Sequence, residues 1–81
     1  MNYIFGNIKQ ALADLSATPA NVVRQRIFIV GMQLDHRPII AGAMNDFYGD
    51  GGSASSTCIG IDSILIDGAL VEIDVTAVID V

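Results

Sequence analysis

The sequence predicts an α+β fold, a small sheet carrying helices on one face in the order helix, strand, helix, strand, strand. Three observations lead there. Apolar residues recur at helical spacing in residues 2–16. Those of "NVVRQRIFIVG" are β-branched and aromatic. Beyond a glycine-rich stretch, two alternating segments, "TCIGIDSILI" and "ALVEIDVTAVI", flank Asp67-Gly68.

The first helix is read from Ile4, Phe5, Ile8, Leu12 and Leu15, with Ala11 and Ala13 as good helix formers and Asn2 as its N-cap. Thr18 precedes a proline and is biased away from helix, so "SATPA" stops it. The first strand then places Val23, Gln25, Ile27 and Ile29 on one face and Val22, Arg24, Arg26, Phe28 and Val30 on the other. Both faces are partly apolar, which suits an inner strand. Asp35 is positioned to cap a second helix whose first turn tolerates Pro38. Its apolar stripe is Ile39, Ile40, Ala43, Met44 and Phe47, and Gly49 is placed to end it. "GDGGSASS" reads as a loop. The Asp67-Gly68 pair between alternating segments predicts a type I′ hairpin joining the last two strands. In the final strand Ala69, Val71, Ile73, Val75, Ala77 and Ile79 share one face, opposite Leu70, Glu72, Asp74, Thr76 and Val78. The helices cover one side of such a sheet, so its other side faces solvent or another subunit.

Eighty-one residues make one domain, and at this size a chain buries only about 60% of its unfolded surface. With 52% hydrophobic residues the expectation is oligomerisation. The single cysteine, Cys58, forms no intrachain disulfide. "MNYIFGNIKQ" has no basic leader region, and the apolar runs "IFIVGM" and "IIAGAM" fall far short of the ~18 residues of a membrane span. The expected setting is soluble and cytoplasmic, without a membrane. Four basic against nine acidic residues, net charge −5, leave no positive surface for nucleic acid.

Among side chains that carry chemistry, Glu72 sits among apolar neighbours and would orient a water, or else pair across strands with Arg24 or Arg26. Ser55, Ser56 and Thr57 offer hydrogen bonds to a small carboxylate or carbonyl, or simply lead into a strand. No histidine stands near them in sequence to make a nucleophile. Cys58 lacks a basic neighbour that would favour thiolate and reads as a small buried hydrophobe. His36 beside Arg37 is most simply solvated, and "DH" supplies too few ligands for a metal. Asp46 and Asp50 fail the EF-hand spacing, and "GDGGSASS" has no phosphate-loop lysine.

"NVVRQRIFIVGM", a helix ending in "NDFYGD", "SSTCIGI" and "GALVEIDVTAVI" together resemble the RidA family, also called YjgF/YER057c/UK114 or L-PSP endoribonucleases. "NIKQALADL" fits that family's first helix, and "LVEID" followed by "AV" is the most specific match. The resemblance implies a chorismate-mutase-like fold, a homotrimer, and clefts between subunits that bind small metabolites. It further implies hydrolysis of reactive enamines and imines to 2-keto acids and ammonia, without cofactor or metal. Glu72 falls on the glutamate thought to position the attacking water, and Cys58 on a position that is often cysteine. Ser56 stands where active members carry the carboxylate-binding arginine, and a second subfamily pattern would put that arginine at Ser53. Neither is basic, so the charge-assisted fork of arginine is absent there. Ala41 and Met44 stand where the family often has asparagine and tyrosine. Residues 1–81 would form a single RidA-like domain lacking the family's N-terminal strands. The alternative is a non-catalytic interaction protein pairing through an exposed sheet edge, with itself or a partner chain.

Overall fold

A computed structural model describes residues 1–49 and 54–79. Two helices, α1 (Asn2–Asp14) and α2 (Arg37–Tyr48), lie on one face of a three-stranded mixed sheet of β1 (Val22–Val30), β2 (Ser55–Ile61) and β3 (Val71–Ala77). Strand order is β2-β1-β3, with β2 parallel and β3 antiparallel to the central β1. The expected α-β-α-β-β order and one-sided layering are therefore present.

Helix α1 is shorter than its apolar pattern. Met1 rather than Asn2 caps it, through a carbonyl that accepts the Phe5 N–H at 3.1 Å. At the other end Ser16 takes the left-handed conformation, φ 59°. Ser16 N–H then donates to the Ala13 carbonyl and Ala17 N–H to the Leu12 carbonyl, a Schellman ending that closes the helix before Thr18 and Pro19 are reached. The Pro19–Asn21 turn ties two strands together. Asn21 N–H caps it on Thr18, the Asn21 amide donates to the Val78 carbonyl, and Val78 N–H returns to the Asn21 carbonyl at 2.9 Å.

In β1 the register against β3 shifts between Val22 and Arg24. This bulge turns Val22 inward and leaves Val23 48% exposed, reversing the faces that strict alternation assigns to these two residues. From Gln25 onward alternation holds: Gln25, Ile27 and Ile29 are buried under the helices. Asp35 does not cap α2. It lies within a 3-10 turn, Leu34–His36, where the Gln33 N–H donates to His36 Nδ1 at 3.0 Å, and α2 begins at Arg37 with Pro38 in its first turn. The helix seats Ile40, Ala43 and Phe47 in the core while Ile39, at the edge of the stripe, is 63% exposed. Phe47 stacks on Phe5 of α1, centroids 4.7 Å apart, which joins the helices over Ile27.

The predicted hairpin does not form. β2 and β3 flank β1 without pairing with each other, so β2 ends at Ile61 and the chain crosses the end of β1 before β3 begins. Ile61 and Leu70 carbonyls receive the Gly31 and Val30 N–H groups at that end. Asp67-Gly68 does make a turn, closed by Ala69 N–H to the Ile66 carbonyl at 3.1 Å. Only Gly68 of the two has positive φ, 82°, which is the type II pattern rather than the two positive values a type I′ hairpin requires. Leu65 at this crossing is 98% exposed.

Candidate functional site

The pleat and the register decide which side chains meet. On the face away from the helices, three rows run across the sheet in the order β2, β1, β3. They are Ser55–Arg24–Thr76, Thr57–Arg26–Asp74 and Ile59–Phe28–Glu72. The face is thus polar at one end and apolar at the other, with Phe28 half-buried and Ile59 43% exposed.

Its fixed element is an ion pair. Arg26 Nη2 donates to Asp74 Oδ2 at 2.7 Å, while Arg26 Nε donates to both carboxylate oxygens at 3.0 and 3.1 Å. The same guanidinium lies 5.8 Å from the centroid of Phe28. The alternatives open in sequence were Arg24 or Arg26 against Glu72. The register instead brings Asp74 opposite Arg26 and sets Glu72 opposite Phe28. The Arg26 hydrogen bonds hold the Asp74 carboxyl below the ordinary aspartate range, against the opposing effect of partial desolvation and with further help from the charges of Arg26 and Arg24. Because the folded-state value is depressed, the pair stabilises the fold above the unfolded aspartate pKa of about 3.9 and ceases to do so as pH falls through the folded value. Asp74→Asn is accordingly expected to lower Tm slightly at neutral pH and low salt. Thermal scans of both proteins from pH 7 to pH 2 should show the gap closing in acid; a gap that persists at the lowest pH would contradict this origin.

Ser55 and Thr57 belong to this open face, whereas Ser56 and Cys58 alternate onto the helix side, where Ser56 stays exposed and Cys58 is half-buried. β2 starts at Ser55, so Ser55 and Ser56 belong to the strand rather than to the loop read ahead of it, while Thr57 and Cys58 fall in the strand as expected. Ser56 Oγ accepts from the Gln25 amide at 3.0 Å, and Gln25 Oε1 accepts the Tyr48 hydroxyl at 2.6 Å, so Gln25, the one fully buried polar side chain among the described residues, joins β1, β2 and α2. Burial raises the Tyr48 phenol and likewise pushes the Cys58 thiol up, and the Cys58 S–H points to Met32 Sδ at 3.9 Å. Such a thiol is protonated and unreactive at neutral pH. His36 lines a cleft of about 210 Å³ with Ile29, Val30, Ile39, Leu70 and Val71, remote in register from the Arg24 row. Asp50 and Ser53 lie outside the described residues. Among the described residues no three His, Cys, Asp or Glu side chains converge to hold a metal, and no helix is long and apolar enough to cross a membrane.

Strand alternation in the sequence already set Arg24, Arg26, Glu72 and Asp74 on the side away from the helices. It did not say which of them meet, nor which side of β2 Ser55 and Thr57 take; the pairing register supplies both.

Residues 1–79 match the family model described as endoribonuclease L-PSP. The chain is similar to a Rid family protein of Yersinia pestis, YyfB, at 31% identity and TM-score 0.87, covering 93% of this chain and 56% of that one. It is also similar to a YjgF/YER057c/UK114 family member of Mycobacterium tuberculosis, at 26% identity and TM-score 0.71, covering 89% and 58% respectively. A YjgF family protein of Neisseria meningitidis, 20% identical with TM-score 0.76 over 93% of this chain and 60% of that one, shares the fold. A search of curated proteins gave no match. The chain spans little more than half the length of these solved relatives. With its helices, its mixed sheet and a family model that matches from the first residue to residue 79, the chain belongs to the endoribonuclease L-PSP family, the Rid or YjgF/YER057c/UK114 proteins.

Proposed function

We propose that the protein is a cytoplasmic homo-oligomer, a trimer by its family resemblance, that binds a small carboxylate metabolite on the open face of its sheet where subunits meet. The observation that carries this reading is the open face itself. Charged and hydroxyl side chains stand there beside Phe28 and Ile59, and no element of the chain's described residues covers them. The chain's surface, 5567 Å², also exceeds the roughly 4,700 Å² of a compact monomer of this mass. Leu34, Leu65, Ile66 and Leu70 are each more than 60% exposed, the kind of apolar surface that association removes from water.

The reaction proposed is hydrolysis of an imine or enamine next to a carboxylate. Water adds to the C=N carbon of the imine tautomer, the C–N bond breaks, and ammonia leaves a 2-keto acid. Substrate and water balance the step, so no cofactor or metal is invoked. Glu72 would hold the water, with Thr57 one row and Ser55 two rows away on the same face, whereas Ser56 and Cys58 alternate to the other side of β2. The protein is expected to speed the decay of 2-iminobutanoate generated in situ, and Glu72→Gln to reduce that acceleration roughly 100-fold with mass unchanged. Decay no faster with the protein than without it would remove the catalytic reading.

One observation favours a second reading, a non-catalytic partner protein. Among the described residues β2 and β3 each pair on one side only, leaving two strand edges as templates for strand addition. Light scattering separates the two: a defined small oligomer supports the metabolite-binding reading, whereas a polydisperse chain that becomes defined only with a second polypeptide supports strand addition.

A further inference from the structure

We propose that Arg24 is the carboxylate receptor of the open face, with Ser55 and Thr76 as its flanking hydroxyl donors. The inference rests on the reading of that face as a small-carboxylate site and names the residues that would do the holding.

The two arginines of β1 differ in what they already hold. Arg26 directs both Nε and Nη2 onto the Asp74 carboxylate, and so spends the fork that would recognise a second anion. Arg24, exposed one row away, makes no ion pair and no side-chain hydrogen bond among the described residues. Its neighbours in register are Ser55 on β2 and Thr76 on β3, which donate hydrogen bonds but neutralise no charge. Glu72 does not stand in for them. It sits two rows further along the face, which is about 13 Å at a strand rise of ~3.3 Å per residue, with the Arg26–Asp74 pair between.

The geometry suits a carboxylate. Strands lie ~4.8 Å apart, so Ser55 and Thr76 flank Arg24 at the spacing of neighbouring strands. Two guanidinium N–H groups would meet the two carboxylate oxygens side by side, with a hydroxyl nearer the backbone on either side of the arginine stem. The position where the family arginine would fall, Ser56, is the register partner of Gln25, the residue next to Arg24 on the same strand. The positive charge missing there is present one position away and on the opposite face. The ~13 Å separation adds a consequence: a Glu72 that acts on a short acid held by Arg24 belongs to a second copy of the chain.

The test uses pyruvate and 2-oxobutanoate as probes, titrated into the full chain by calorimetry, with light scattering on every variant. Arg24→Gln is expected to weaken binding roughly 10- to 100-fold, the loss expected of a hydrogen-bonded charge. Arg24→Lys should fall between, and Arg37→Gln, at the start of α2, should bind as the wild type does. Unchanged oligomer mass and circular dichroism in Arg24→Gln would complete the support. Equal binding by Arg24→Gln and wild type would overturn the assignment while leaving the small-carboxylate reading in place. A loss of oligomer mass in both Arg24→Gln and Glu72→Gln would also overturn it, by showing that the carboxylate Arg24 meets is Glu72 of a second copy. No binding of either acid by a well-folded wild type would overturn the receptor and the reading together.

Discussion

Ile27→Ala is expected to cost about 2–5 kcal/mol, the range for removing a large buried aliphatic side chain from a core that relaxes only in part. Ile27 is fully buried at the middle of the central strand, between Cys58 on one side and Ile73 on the other, under a layer that includes Phe5, Ile40 and Phe47. A chain of this length commands only about 4–12 kcal/mol in all, so the substitution removes a large share of its reserve. Urea unfolding at a fixed protomer concentration should show a lower midpoint with an unchanged slope. Ile59→Ala serves as the contrast, because Ile59 lies on the open face and is 43% exposed. If that face is buried between subunits, Ile59→Ala should lower oligomer affinity more than protomer stability. An Ile27→Ala protein within 0.5 kcal/mol of wild type would mean that the core is not centred where the structure puts it.

The same central strand explains what could be read from sequence and what could not. Apolar periodicity is local, and it located both helices and β1 to within a few residues. The ends were set by hydrogen bonds of single residues, such as the left-handed Ser16 that closes α1 early and the Gln33–His36 contact that displaced Asp35 as a cap. Strand order is not local. Asp-Gly serves a type II turn in a crossing connection as readily as a type I′ hairpin, since glycine supplies the positive φ in either case. The choice between them is made by which neighbour β2 finds. The two registers on β1 then fixed the rows of the candidate site: β3 brought Asp74 rather than Glu72 opposite Arg26, and β2 set Ser56 and Cys58 on the helix side, away from Ser55 and Thr57. Residue types sufficient for anion recognition were visible in the sequence. Their grouping was a property of pairing register, which no spacing within one segment encodes.

Gln25→Ala is expected to cost about 3 kcal/mol or more, because it combines lost packing at a fully buried position with two hydroxyls deprived of their partner. The Gln25 amide both accepts the Tyr48 hydroxyl at 2.6 Å and donates to Ser56 Oγ at 3.0 Å. Gln25→Leu restores most of the volume and isolates the polar part. It should remain destabilised by about 1–3 kcal/mol, the cost of a buried polar group left unpaired. Pairing it with Tyr48→Phe removes a stranded hydroxyl together with its missing acceptor, so the double variant should lose less than the sum of the singles, by about 1 kcal/mol. Strict additivity would show that the network carries no energy of its own. The location of the damage gives a second, independent readout. β3 is fastened at its end by the Asn21–Val78 hydrogen bonds as well as by its ladder, whereas this network is what joins the start of β2 to α2. Amide exchange in Gln25→Leu should therefore accelerate across Ser55–Ile61 before it does across Val71–Ala77. Equal acceleration of both strands would place the effect in global unfolding and leave β2 held by its backbone ladder alone.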